Sequence, residues 1–226
     1  MKITIKLGGF LFPREIDINL LRKYVKELTR LYRRGHHLSV ITGGGEVARD
    51  YIEKARKLGA TESLCDTIGI QVSHVNAHLL ISGLGDAAYP SLPFHLNEAL
   101  RISTLGKILV MGGLQPGQST NAVAALIAEA LRSDILINLT DVDGVYTSDP
   151  KIDPNAKRFN EVTPDQMMQL IEKKDISAGG YKLLDPIALR IINRSSILTY
   201  IINGKDITNL EKALKKETIG TRIAFH

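Results

Sequence analysis

Cysteine is all but missing from this chain. Cys65 stands alone among 226 residues, so no internal disulfide can form. That usage fits a reducing compartment and predicts a cytoplasmic protein. Long apolar runs are lacking too. The best stretch, Ala122 to Leu131, is broken by Glu129 and falls short of membrane-spanning length, which predicts no membrane partner. Met1 leads straight into Lys2-Ile3-Thr4-Ile5, an alternation typical of a strand, leaving no apolar leader before structure begins. The common phosphate motifs are absent as well. No Gly-x-x-x-x-Gly-Lys-Ser/Thr excludes a P-loop, and no Gly-x-Gly-x-x-Gly excludes the dinucleotide fingerprint. Without a His-Arg-Asp or Asp-Phe-Gly segment, a protein kinase is excluded.

What is present reads as an ordinary folded chain, with 44% hydrophobic and 23% charged residues. Its length suits one large α/β domain or two small lobes. A net charge of +5 favours anionic partners. The basic residues Arg22, Lys23, Lys26, Arg30, Arg33 and Arg34 fall on one helical segment and read as a solvated face. No recognition-helix motif accompanies them, so nucleic acid is not a predicted partner.

Short β-rich runs alternate with amphipathic helical patterns, which predicts an α/β fold with a mainly parallel sheet covered on both faces. Strands are expected near Lys2–Leu7, His37–Thr42, Lys107–Met111, Asp134–Leu139, Ile197–Ile202 and Thr218–Ala224. Helices are expected near Leu20–Tyr32, Glu46–Leu58, Ser63–Ser82, Leu96–Thr104, from Ser119 to Ser133, and near Asp165–Lys173, Leu183–Arg194 and Leu210–Lys216. The texture changes near Thr140, where turns replace simple βα units. This predicts two lobes, 1–139 and 140–226, sharing one continuous sheet.

Four loops at strand ends are built to receive anions. Lys6-Leu7-Gly8-Gly9 follows the first strand, and Gly43-Gly44-Gly45 with Arg49 follows the second. Gly112-Gly113 with Gln118-Ser119-Thr120 comes third, and Ser177 to Lys182 fourth. Glycines at the mouth of a helix let backbone N–H groups approach an anion, and the helix terminus adds partial positive charge. Arg49 offers a planar fork of donors suited to phosphate. A Gly-Gly after a strand is by itself an ordinary tight turn; the four together, with Lys6, Arg49 and Lys182, suit two phosphorylated ligands facing each other. His74 and His78 are four residues apart on one helix, but with no Glu between them and no third ligand they read as a helix face. No side chain is assigned to a metal.

Lys6-Leu7-Gly8-Gly9, Thr42-Gly43-Gly44-Gly45 with Ala48-Arg49, and Asp66-Thr67-Ile68-Gly69-Ile70 occur in that order. They are followed by Thr140-Asp141-Val142-Asp143-Gly144-Val145-Tyr146 with Asp149-Pro150-Lys151. Together these segments resemble the amino acid kinase family, and within it the uridylate kinases of the archaeal type. The resemblance runs over essentially the whole chain, and the Asp-Val-Asp-Gly-Val-Tyr-x-x-Asp-Pro segment is its most specific part.

The resemblance implies an αβα sandwich with an acceptor-binding N-terminal lobe and a nucleotide-binding C-terminal lobe, assembled as a homohexamer. It implies transfer of a phosphoryl group from ATP to UMP, giving ADP and UDP, in pyrimidine nucleotide biosynthesis. Lys6, Gly8, Gly9 and Lys182 would attend the moving phosphoryl group, with Asp185 orienting the lysines. Asp185 equally reads as the N-cap of a helix beginning at Pro186. Gly43, Gly44, Gly45 and Arg49 would hold the UMP phosphate, Asp66 the ribose hydroxyls, and Gln118, Ser119 and Thr120 the region of the uracil. Lys6, Gly9, Thr140, Asp141, Asp143, Gly144, Tyr146 and Asp149 would surround ATP, with Mg²⁺ bridging its phosphates and keeping most of its waters. Two features depart from the family pattern: Gly8 replaces a serine of many relatives, and Asn121 stands where several uridylate kinases carry Asp. Two alternatives stay open. One is a family kinase acting on isopentenyl phosphate, carbamate or an amino acid carboxylate; the other is a non-catalytic nucleotide- or oxyanion-binding protein on the same scaffold.

Overall fold

The computed structural model describes residues 1–148, 150, 152–172 and 183–225. Its strands are β1 (Lys2–Leu7), β2 (His37–Thr42), β3 (Leu109–Met111), β4 (Ile135–Thr140), β5 (Glu161–Val162), β6 (Thr199–Asn203) and β7 (Thr221–Ile223). The early helices are α1 (Ile18–Arg33), α2 (Gly45–Lys57), α3 (Glu62–Leu84), α4 (Leu96–Ser103) and α5 (Thr120–Ala130). Later come α6 (Pro164–Glu172), α7 (Pro186–Ser195) and α8 (Thr208–Leu214).

The strands form one seven-stranded sheet in the order β3-β2-β1-β4-β6-β7-β5. Pairing is parallel everywhere except between β6 and β7. Alternation along β1 sends Ile3, Ile5 and Leu7 to one face, where they join Leu21, Tyr24 and Leu28 of α1 and Ala77 and Leu80 of α3. On the other face Ile41, Leu136 and Ile201 meet α5 through Val123 and Ile127, and α7 through Ala188 and Ile192. The predicted sandwich is therefore observed. Each of the two cores draws residues from both sides of position 140.

Local chemistry sets most boundaries. Asp17 caps α1 by accepting from the Asn19 and Leu20 amides at 2.8 and 3.1 Å, and Gly35 follows the helix with φ of +81°. Several elements are shorter than their sequence patterns. The strand expected from Lys107 starts at Leu109, with Ile108 making only a single bridge to Ala88. The alanine-rich helix stops at Ala130, because Arg132 turns the chain away with φ of +52°. The helix expected from Leu183 begins at Pro186, where proline is pre-shaped for the first turn. The strand expected over Thr218–Ala224 is present as the shorter β7, antiparallel to β6, whereas the two-residue edge strand β5 has too few residues to show a pattern in the sequence.

Candidate active site

Strands β1, β2, β3 and β4 all empty at the same edge of the sheet, into Gly8-Gly9, Gly43–Gly45, Gly112-Gly113 and Asp141 respectively. Carboxyl ends of parallel strands are where open α/β sheets bind ligands. A cavity of about 280 Å³ lies there, lined by Lys6, Gly9, Gly43, Gly44, Gly45, Arg49, Asp66, Gln118, Ser119 and Thr120. Ala48, Ile52, Gly69, Ile70 and Gly113 complete its wall with an apolar stretch. Residues separated by more than a hundred positions are thus brought together, and every position expected for the acceptor lines this one cavity.

Backbone sterics explain the glycines. Gly45 adopts φ of +68°, and a Cβ there would stand 2.1 Å from the Phe12 carbonyl oxygen. A methyl group at Gly9 would stand 3.3 Å from the Gly45 Cα and 3.4 Å from Arg49 Nη1, so the first two glycine loops touch beside the guanidinium. The Gly43 and Glu46 amides are committed to the Leu7 and Phe12 carbonyls at 3.1 Å each, which leaves Gly44 and Gly45 as the loop's amides at the mouth of α2. Arg14 and Arg56, on either side of Arg49 in sequence, pair with Asp50 and Glu62. Arg49 forms no such pair among the described residues, which keeps a guanidinium available inside the cavity.

Gly8 departs from expectation. Its amide donates to the Leu139 carbonyl at 3.0 Å, and a Cβ would meet that same oxygen at 2.5 Å. The residue lets the end of β1 close on β4, so its N–H is not available to a phosphoryl group. Gly9, in contrast, lines the cavity.

Lys6 sits half-buried at the cavity floor. Burial pulls its ammonium pKa from 10.5 down to about 8, against the attraction of Asp141 and Asp185. Asp185 is the N-cap of α7, accepting from the Ile187 and Ala188 amides at 3.0 Å each, and its second oxygen takes the Ser119 hydroxyl. Ser119 in turn caps α5, accepting from the Asn121 and Ala122 amides at 3.1 and 3.0 Å. The N-termini of α5 and α7 are thereby tied tip to tip beside Lys6. Asp185 is thus a helix cap whose charge also acts on Lys6.

Helix α3 carries anchors that sequence reasoning missed. Asn76 Nδ2 donates to the Gly43 carbonyl at 2.8 Å, and Ser73 Oγ accepts from the Gly113 amide at 2.8 Å. His74 Nε2 donates to the Gly113 carbonyl at 2.8 Å and stacks edge-on against Phe94, with ring centroids 5.1 Å apart. His78 points elsewhere, to an exposed position. Near the start of the same helix, Asp66 accepts from the Gly117 amide at 2.8 Å. Ser73 and Asn76 are two of several polar residues along this helix, so nothing in the sequence singled them out.

On the other side of β4, the Thr140 hydroxyl exchanges hydrogen bonds with Val142, donating to its carbonyl at 2.9 Å and accepting from its amide at 3.2 Å. That buried side chain closes a turn. Asp143 accepts from Asn203 Nδ2 at 2.8 Å, and Gly144 is packed so closely that a Cβ would meet Thr221 Oγ1 at 2.5 Å. Tyr146 packs against the α5–α7 core and bridges Arg158. Lys182, Asp149 and the Ser177–Lys182 loop lie outside the described residues.

The amino acid kinase family model matches residues 1–203. This chain belongs to the amino acid kinase family. Among similar members, the uridylate kinase of Methanobrevibacter smithii is 45% identical over 223 residues, covering 99% of both chains. That of Methanothermobacter thermautotrophicus is 46% identical over 223 residues, again covering 99% of both chains. The crystal structure of uridylate kinase from Archaeoglobus fulgidus superposes with a TM-score of 0.88 at 40% identity, covering 99% of this chain and 100% of that one. The amino acid kinase fold extends to more distant members: UMP kinase from Bacillus anthracis matches with a TM-score of 0.81 at 20% identity, over 99% of this chain and 95% of that one.

Proposed function

We propose that this chain is a uridylate kinase that transfers the γ-phosphoryl group of ATP to UMP. The observation that carries the reading is the cavity itself, where Lys6 and Arg49 share one chamber with the amides at the head of α2, the Asp66 carboxylate and the Gln118 amide. That set matches a nucleoside monophosphate: cation and amides for the phosphate, a carboxylate for ribose hydroxyls, and a side-chain amide for a base edge. Relatives carrying the name uridylate kinase at 45% and 46% identity support the same choice of acceptor.

Phosphoryl transfer asks for little covalent help and much charge control. An oxygen of the UMP phosphate forms the new bond to the γ-phosphorus while the bond to the β–γ bridging oxygen breaks, and ADP leaves. The attacking oxygen is already anionic, so no general base is required. Arg49 and the Gly44 and Gly45 amides hold the acceptor phosphate, Lys6 neutralises charge on the group in flight, and Asp185 orients Lys6 together with Lys182. Residues 1–139 supply the acceptor side and 140–226 the ATP side. Mg²⁺ neutralises the ATP phosphates when bound. A homohexamer in the cytoplasm, serving pyrimidine nucleotide synthesis, completes the proposal.

The test is a comparison of acceptors. Purified protein with ATP and Mg²⁺ is offered UMP, CMP, dUMP and isopentenyl phosphate, and kcat/KM is expected to be highest for UMP. A higher value for any other acceptor overturns the assignment.

A further inference from the structure

Lys6 is paired in register with Ile41 of β2 on one side and Asn138 of β4 on the other, and Asn138 is followed across the sheet by Ile201 of β6. Neighbours in parallel register project to the same face. In the register row Met111, Ile41, Lys6, Asn138, Ile201, Thr221, the central strands β1 and β4 therefore carry two polar side chains next to each other between isoleucines.

Asn138 is only 2% exposed. Its Nδ2 donates to the Leu183 carbonyl at 2.7 Å, an acceptor that settles which way the amide lies. Its Oδ1 is buried with no hydrogen-bond partner among the described residues. Buried polar atoms without partners are costly, and an apolar side chain of similar size would avoid that cost. The asparagine is the more expensive choice for packing, so its use lies in what the amide holds.

What it holds is the approach to α7. Leu183 and Leu184 are buried at 6% and 4% exposure in the core under α5 and α7, and Asp185 follows immediately. Asp185 is then fixed by its bonds to Ser119, Ile187 and Ala188. We infer that Asn138 is a positioning residue for phosphoryl transfer: its amide clamps the Leu183 carbonyl and so sets where the Asp185 carboxylate stands relative to Lys6. The inference deepens the proposed function and rests on its assignment of Lys6 and Asp185 to the transfer step.

The geometry makes two demands. Asn138 is buried and is not among the residues that line the cavity, so its loss should lower kcat and leave both KM values unchanged. It acts through Asp185, so its effect should vanish once Asp185 is altered. Asn138→Leu exchanges one unpaired acceptor, Asn138 Oδ1, for another, the Leu183 carbonyl, and its melting temperature is expected to stay near that of the parent. Asn138→Ser removes the clamp without adding bulk, and carries the test if the leucine variant fails to fold.

The experiment is a cycle of the parent, Asn138→Leu, Asp185→Asn and the double variant, run on whichever acceptor the parent uses best. Asn138→Leu is expected to lower kcat about 10- to 100-fold with KM for UMP and ATP within about threefold, and to lower it less than about threefold in the Asp185→Asn background. Equal losses in both backgrounds, a loss confined to KM, or an unchanged kcat would overturn the inference. The acceptor panel reports separately on the function: a parent that prefers another acceptor defeats the uridylate assignment, while the cycle on that acceptor still decides the role of Asn138.

Discussion

The two sides of strand β4 use polar groups in opposite ways. Towards β1 and β2, the cavity holds Arg49 without a carboxylate partner among the described residues and leaves Gly44 and Gly45 amides at a helix mouth. Beyond β4, Thr140 is bonded to Val142, Asp143 to Asn203, and Gly144 lies against Thr221. On one side a guanidinium and two glycine amides stay outside the fold's own bonding; on the other the described polar groups also brace turns. The described part of the Thr140 to Tyr146 motif thus carries bonds internal to the fold alongside the donor-site role expected of it. The cavity's chemistry comes from four segments that no single motif joins.

This contrast can be broken most severely at Lys6. Lys6→Met should reduce kcat about a thousandfold or more while UMP affinity measured by titration changes little. Because burial lowers the ammonium pKa to about 8, the folded chain binds fewer protons than the unfolded chain between that value and 10.5, so Lys6 costs stability at lower pH and the cost shrinks as pH rises through that window. Lys6→Met is accordingly expected to melt above the parent near neutral pH, with the advantage fading in alkaline buffer. A variant that melts lower at neutral pH would refute the stored cost.

Gly45→Ala comes next in size. A side chain at φ of +68° and 2.1 Å from the Phe12 carbonyl must displace the loop, with a loss of about 3 kcal/mol or more in denaturant unfolding. A loss under about 1 kcal/mol would mean that the loop relaxes freely. Arg49→Ala should raise the Kd for UMP roughly 10- to 100-fold and leave that for ATP within about threefold, measured by calorimetry. Equal weakening of both ligands would erase the distinction between the two sides. The smallest effect belongs to Thr140→Val, which should cost about 1 kcal/mol of stability and leave the KM for ATP within about twofold. A tenfold rise in that KM would restore Thr140 to the donor site.

Much of this was legible in the chain itself. Arg49 follows from a glycine loop at a strand end, Asp66 and Gln118 from the family resemblance, and periodicity alone located the helices that carry Arg49 and Asp66. Hydrogen bonds that depend on distant backbone were not legible. Nothing about Gly8 reveals that Leu139, more than a hundred residues on, will claim its amide. Likewise Asn76, Ser73 and His74 look like ordinary polar positions of a mixed helix until Gly43 and Gly113 arrive opposite them. Asn138 reads as a blemish in a strand for the same reason. Backbone groups have no sequence signature, so residues chosen to satisfy them cannot announce their purpose.

Helix α3 runs from Glu62 to Leu84, a rod about 34 Å long at 1.5 Å per residue. It is fastened to Gly43, Gly113 and Gly117, which belong to two loops that never contact one another in sequence. Those loops consequently share a common keel. A push on its far end would be transmitted to the rims of the chamber together, and independent wobble of either rim would require its moorings to part first.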